Sequence, residues 1–354
     1  MSSIEKFYKN KNILITGITG FKGSWLASWL SLLGSKIYGI SKTPNKNINL
    51  FQQLELHKRV VYKNIDICNI KELNNFINFS KPQIIFHLAA QPLIAYSYTY
   101  PLETFKTNIL GTANILEIFR KNKFIKSLIC VTSDKCYEDK KKLTQFKEGD
   151  RLGGIDPYST SKACAEIIAR SYQKSFSNIL GNNRGLSTAR AGNVIGGGDW
   201  SQKRLIPDCI RSLLKNKKII IRNPTFNRPW QHVMDPIHGY LMLAMKQYTY
   251  AEKFSGAWNF GPDPKSLKTV EKVVRDIVAL WGSGSFIFKK SKFYEQKNLQ
   301  LNISKSKKEL GWKPVLSMDE SIFKTIDWYL RVYKKKEDPI TVTNNQIIDF
   351  INAI

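Results

Sequence analysis

Apolar residues recur through the first half of the chain in two alternating rhythms. Short unbroken apolar runs at 12–16, 36–40, 60–65, 84–88, 128–132 and 186–191 read as strands buried on both faces. Between them lie stretches with helical spacing, at 21–33, 70–79, 101–121 and 158–176. Strand and helix alternate, which predicts an α/β fold: a Rossmann-type, doubly wound parallel sheet with helices on both faces. Beyond about Gly196 the rhythm changes to loops, short strands and helices at 206–214, 236–247, 270–281 and 317–333. Residues 1–195 are therefore read as the sheet domain. Residues 196–338 are read as a smaller C-terminal α/β lobe, interleaved with it across a shared cleft. Residues 339–354 are left as a tail or a short helix.

Composition narrows the class. The 354 residues are 42% hydrophobic and 23% charged, enough for a sizeable globular core. No apolar run approaches the roughly 20 residues of a membrane span, and no secretory signal precedes the first strand. A cytoplasmic protein without a membrane partner is expected. Cys68, Cys130, Cys136, Cys164 and Cys209 are scattered without a CxxC pair, so reduced thiols and no metal site are expected. Lys and Arg number 55 against 28 Asp and Glu, a net charge of +27. The surplus is spread along the chain, and the runs at 140–142 and 334–336 read as solvated surface. No nucleic-acid-binding module is visible, so a nucleic-acid partner is not expected.

The first strand runs into Thr16-Gly17-Ile18-Thr19-Gly20-Phe21-Lys22-Gly23 and then a helix. Gly17 allows the sharp turn, Gly20 lets backbone approach a pyrophosphate, and Gly23 lets the helix sit on the strand. The helix N-terminus offers free amides to the anion. This strand–loop–helix setting points to a bound dinucleotide. The second strand ends in Ser41-Lys42 without the carboxylate that normally reads the adenosine ribose. Serine can serve the ribose hydroxyls of NAD, while Lys42 would suit the 2′-phosphate of NADP.

Two further stretches carry chemistry. Tyr158 and Lys162 stand four apart at the start of a helix, hence on one face. The ammonium can lower the phenol pKa, leaving a phenolate that takes a proton from a sugar hydroxyl. The fifth strand ends in Ser133, Asp134 and Lys135: a hydroxyl, a carboxylate and an ammonium side by side. Taken alone, the two charges read equally as a structural ion pair.

TGITGFKGSWLASWL, HLAAQPL, TFKTNILGT, VTSDKCYE, GGIDPYSTSKACAE, RAGNVIGGGDW, RLIPD and RPWQHV together resemble the extended short-chain dehydrogenase/reductase family over nearly the full length. Within it the chain is most similar to the nucleotide-sugar 4,6-dehydratases, and among those to the CDP-glucose branch. The resemblance implies a bound NAD that is consumed and regenerated in each turnover. It implies that Tyr158 removes the C4 hydroxyl proton with Ser133 holding the oxygen, while Lys162 holds the nicotinamide ribose. Asp134 and Lys135 then fall where the family places the acid and base for loss of water across C5 and C6. A lysine can be that base only with a depressed pKa, and the acid needs a raised one.

The resemblance carries further contacts. Gly17, Thr19, Gly20, Phe21, Lys22, Gly23, Ser41, Asp66, Ile67, Leu88, Ala89, Ala90, Gln91 and Thr107 are expected along the cofactor. Gln91, Asn108, Ser133, Asn193, Arg204, Arg228, Trp230 and His232 are expected along a nucleotide-diphosphate sugar, with CDP-glucose implied. Arginine forks pair phosphate oxygens, which makes Arg228 the foremost of these. Trp230 and His232 read equally as lobe packing. Ala95 departs from the CDP-glucose branch, which carries a basic residue there, and so leaves the nucleotide and sugar more open than the reaction. The rival readings are a dehydratase of another nucleotide-hexose, or a 4-epimerase or reductase, which needs no acid–base pair at C5 and C6. The resemblance also implies a homodimer or dimer of dimers built on the helices near Pro101 and Tyr158, and a place in deoxysugar and O-antigen lipopolysaccharide biosynthesis.

Overall fold

Seven strands form one sheet in which every neighbouring pair is parallel: β1 Asn12–Thr16, β2 Lys36–Ser41, β3 Val61–Asn64, β4 Ile84–His87, β5 Ser127–Val131, β6 Gly185–Ala191 and β7 Gly256–Phe260. Their order is β7-β6-β5-β4-β1-β2-β3. This computed structural model describes residues 3–42, 49–139, 145–263, 267–289 and 299–354; the lysine run at 140–142 lies outside them. The chain reverses direction across the sheet between β1 and β4, and an open sheet takes its ligands at the carboxyl edge of such a switch point.

Period-two alternation divides each central strand between two cores. Ile13, Ile15, Ile84, Phe86, Ile129 and Val131 face one core, while Leu14, Ile85, Leu128 and Cys130 face the other. The first core is filled by helix α1, Phe21–Leu32, and by chain from the C-terminal half. The second is filled by α2, Ile70–Ser80, α3, Gly111–Lys121, and α4, Pro157–Ser175. Helix α1 is apolar nearly all round, and an apolar face all round requires burial all round. Gly23 through Leu30 are accordingly buried, with Trp25 and Trp29 in the core.

The later helices are α5 Leu205–Leu214, α6 Met234–Thr249, α7 Val270–Trp281, α8 Met318–Tyr329 and α9 Pro339–Ala353. Helix α9 packs on α1 through Phe350, whose ring meets Trp29 edge-on at 5.5 Å. The segment after Pro339 is thus a docked helix. Caps set the helix starts that matter here. Asp156 accepts the Ser159 amide at 2.9 Å and Pro157 opens α4, and Ser317 with Glu320 forms a capping box on α8.

Two features depart from the expected elements. Strand β7 lies beyond Gly196 yet joins the main sheet beside β6. Its sequence, GAWNF, hides it because a polar residue interrupts the apolar run. Asn259 is buried there, accepting from Tyr137 Oη at 2.7 Å and donating to the Phe146 carbonyl at 2.9 Å. The stretch at 101–121 is not one regular helix either. It runs Pro101–Phe105, a π-helical turn Lys106–Leu110, then α3.

Candidate active site

A cavity of about 2700 Å³ runs along the carboxyl edge of the sheet. One half of it is built by the glycine loop. Gly17 has φ +72°, and a Cβ there would stand 2.8 Å from Ala89 Cα, so only glycine lets the loop lie against the end of β4. The Gly17 amide donates to the Ile40 carbonyl at 2.7 Å, and Ser41 Oγ accepts the Thr19 amide at 3.1 Å, bracing the loop on β2. A Cβ on Gly23 would come 2.3 Å from the Gly17 carbonyl oxygen. Helix α1 starts after Gly20 with no side-chain cap and no acidic residue in its first turn. Its amides remain for an anion, so the loop fits a dinucleotide pyrophosphate.

Gly17, Thr19, Gly20, Phe21, Lys22, Gly23, Ser41, Asp66, Ile67, Leu88, Ala89, Ala90, Gln91 and Thr107 all line the cavity. Lys42 meets Asp66 at 3.5 Å and Glu103 at 3.9 Å, so carboxylates already face the cation that would suit a 2′-phosphate.

The middle of the cavity holds the reactive side chains. Strand β5 ends and the chain turns into a short 3-10 helix, Asp134–Cys136, with Ser133 as its cap. Ser133 Oγ donates to Asp134 Oδ1 at 3.0 Å and accepts the Lys135 amide at 3.3 Å. Tyr158 and Lys162 approach from α4 with Ser133 within hydrogen-bonding reach of the phenol. Burial pushes the Tyr158 phenol up to about 12, against the pull of Ser133 and the Arg204 cation. Burial brings Lys162 down to about 8, opposed chiefly by the Glu166 carboxylate. Lys22 falls to about 7, through burial and then the cations Arg204 and Lys162, with Asp134 acting against them. A phenol, a hydroxyl and a carboxyl thus share one wall with three ammonium groups, a set able to move protons at neighbouring carbons of a sugar.

The cavity carries further cations. Asn193, Arg204, Arg228 and Trp230 line it, with Arg204 Nη1 3.3 Å from Asp199 Oδ2 and the Arg228 guanidinium 5.3 Å over the Phe226 ring. Ala95 lines it too, on the short helix Ile94–Thr99. Arg222 and Lys289 join them at the ends of the paired strands Ile219–Ile221 and Phe286–Phe288. Arg222 and Lys289 were hidden because their strands lie in loop-rich chain; the short apolar runs III and FIF, each ending in a cation, were the available signal.

Two expected substrate contacts stand away from the cavity. Asn108 is buried in the π-helical turn, where Oδ1 accepts the Gln91 amide at 2.8 Å and Nδ2 donates to the Gln91 carbonyl and to Ser161 Oγ. Both polar atoms of its side chain are thereby engaged within the protein. His232 is fully buried, its ring 5.8 Å from Trp25 in an edge contact, and burial lowers its pKa to about 3. It is lobe packing. Gln91 does face the cavity, but its amide is tied to Thr104 and Leu93. Among the described residues no group of His, Cys, Asp and Glu side chains is placed to hold a metal.

Comparison with known proteins follows the same lines. A family model described as GDP-mannose 4,6 dehydratase matches residues 14–325. The CDP-glucose 4,6-dehydratase of Salmonella typhimurium is 40% identical, across 99% of this chain and 98% of that one. The dTDP-glucose 4,6-dehydratase of Escherichia coli is 25% identical over 90% of this chain and 93% of its own. Among solved structures, the dTDP-glucose 4,6-dehydratase of Bacillus anthracis, crystallised with NAD, superposes with a TM-score of 0.77 at 25% identity, covering 92% of this chain and 98% of that one. The UDP-glucose 4-epimerase of Thermotoga maritima shares the fold, with a TM-score of 0.79 at 22% identity, covering 92% of this chain and 99% of that one. The chain therefore belongs to the nucleotide-sugar 4,6-dehydratase family of extended short-chain dehydrogenases, which the GDP-mannose 4,6 dehydratase model describes.

Proposed function

We propose that the protein is an NAD-dependent CDP-glucose 4,6-dehydratase, converting CDP-D-glucose to CDP-4-keto-6-deoxy-D-glucose with loss of water. The observation that carries this reading is the juxtaposition of Ser133-Asp134-Lys135 with Tyr158 and Lys162 on one cavity wall. Its support in sequence is the 40% identity to the Salmonella enzyme over almost the whole chain.

A bound NAD, held by the glycine loop and Lys162, would supply the hydride chemistry that links C4 oxidation to C6 reduction. Tyr158 removes the C4 hydroxyl proton while Ser133 holds the oxygen. The resulting 4-ketone acidifies C5–H, and Lys135 takes that proton. Asp134 gives its proton to the C6 hydroxyl, which leaves as water, and a proton is restored to C5 as C6 is reduced. Lys162 orients the nicotinamide ribose. The amides of α1 take the cofactor pyrophosphate, while Arg204 and Arg228 take the sugar diphosphate. The cavity offers Arg222 and Lys289 as well, which supports an anionic nucleotide without a basic residue at position 95.

In this reading residues 196–338 are mainly the substrate lobe. The subunit pairs with a second copy through the helices flanking the cavity, where Leu102, Leu110 and Ile167 leave apolar surface exposed. It works in the cytoplasm, in deoxysugar synthesis for surface polysaccharide; among the described residues no helix is long and apolar enough to cross a membrane.

The test is incubation of the purified protein with a panel of CDP-, dTDP-, GDP- and UDP-glucose. CDP-glucose should lose the mass of one water with no net NADH. Loss of water from another nucleotide sugar alone would move the substrate assignment, and a product of unchanged mass would replace dehydration by epimerisation.

A further inference from the structure

Helix α4 carries a buried carboxylate, Glu166, one turn beyond Lys162 and two turns beyond Tyr158. One of its oxygens, Oε1, accepts the hydroxyl of Thr132, the residue between strand β5 and Ser133. The other, Oε2, accepts Thr188 Oγ1 at 2.7 Å and Arg190 Nη2 at 2.7 Å, both on β6. Arg190 is itself buried and is spread over further partners. Its Nη1 donates to Tyr137 Oη at 2.7 Å and to the Glu148 carbonyl at 3.0 Å, and the guanidinium lies 4.8 Å over the Tyr137 ring. Beyond Arg190, β6 ends at Ala191, and the next residue, Gly192, packs against Asp134. A single carboxylate therefore ties α4 and the end of β5, which carry the reactive side chains, to β6, whose end packs against Asp134.

We propose that Glu166 is a positioning residue that fixes Ser133 and Asp134 against Tyr158 and keeps Lys162 in its cationic form. The inference rests on the dehydratase reading for its catalytic meaning, though its effect on Lys162 does not. The register argument is geometric: the bond to Thr132 holds the strand end one residue before Ser133, and the bonds to Thr188 and Arg190 hold the strand under Asp134. The charge argument concerns what faces Lys162. On its own helix stand Tyr158 and Glu166; from β5 and the turn after it come the thiols Cys130 and Cys136; His87 faces it from β4 and Lys22 from α1. Of these, Glu166 is the chief group opposing burial at Lys162. Arg190 compensates part of that charge, so the pair gives two levers of opposite sign.

Glu166→Gln keeps the shape and removes the charge. Arg190→Met removes the compensating cation. NAD+ affinity measured calorimetrically from pH 6 to 10 reads the Lys162 proton without any turnover. Single-turnover C4 oxidation, followed as transient NADH absorbance, reads the register. Glu166→Gln should move the alkaline limb of NAD+ affinity to lower pH and slow C4 oxidation about 100-fold, with the KM for CDP-glucose within about twofold. Arg190→Met should move the same limb to higher pH. Thr132→Val, which leaves all charges in place, should slow oxidation about tenfold with the limb unmoved, and it stands as the register test if Glu166→Gln does not fold. A folded Glu166→Gln protein with unchanged limb and rate overturns the proposal, as does a shift of the same sign in both charge variants. If the wild type dehydrates no nucleotide sugar, the dehydratase reading fails, while the affinity limbs still decide the role of Glu166.

Discussion

Gly192 and Asp134 stand so close that a Cβ added at Gly192 would come 2.9 Å from Asp134 Oδ2. The carboxyl proposed to protonate the C6 hydroxyl thus has a glycine as its floor. Gly192→Ala should push Asp134 off its position while leaving Tyr158 and Lys162 in place. Water loss is expected to fall about 100-fold, with C4 oxidation reduced much less. Rapid quench with mass analysis separates the two steps. Equal losses in both would contradict the assignment of Asp134 to the elimination step.

Lys135 belongs to the same step. Lys135→Ala should abolish water loss more severely than C4 oxidation, so that NADH and a 4-keto sugar accumulate in single turnover. Loss of both to the same extent would remove Lys135 from the C5 proton transfer.

Arg228 tests the proposed diphosphate contact. An arginine fork on a diphosphate is charge-assisted and worth roughly 1.5–3 kcal/mol. Arg228→Ala should therefore raise the KM for CDP-glucose about 10- to 100-fold and leave NAD+ affinity unchanged. A fall in NAD+ affinity would place Arg228 on the cofactor.

Asp235, on α6, gives a stability prediction independent of catalysis. Its carboxyl accepts the Val315 amide at 2.6 Å, its Oδ2 finds no partner among the described residues, and burial raises its pKa from 3.8 to about 7. A carboxyl with a raised folded pKa contributes stability that is fully present below about pH 4 and is lost as pH rises through about 7. The melting temperature of the wild type should fall between pH 5 and pH 8 relative to Asp235→Asn, by about 2–4 °C. Parallel melting curves across that range would contradict it.

Six of the seven sheet strands were legible in the sequence because buried parallel strands are unbroken apolar runs, and period two then assigns each residue to a face. The seventh was not, because Asn259 is a buried polar residue satisfied by Tyr137 and Phe146 from distant chain. The cofactor half of the site was legible for a local reason: glycine loop, strand end and helix start are contiguous, so spacing carries geometry. Asn108 and His232 were misplaced for the converse reason. Their side chains turn inward to Ser161 and toward Trp25, partners that no local spacing reveals. Glu166 was hidden likewise, since its meaning lies in Thr132, Thr188 and Arg190, on two strands apart from its helix.

The central claim is that one site oxidises C4, eliminates water across C5 and C6, and returns the same hydride to C6. CDP-glucose deuterated at C4 tests it most directly, with product mass and proton NMR as the readout. The expected product is a 4-keto-6-deoxy sugar lighter by one water, with the deuterium at C6 and no net NADH. A product of unchanged mass, or a 4-keto sugar whose deuterium remains on the cofactor, would contradict it.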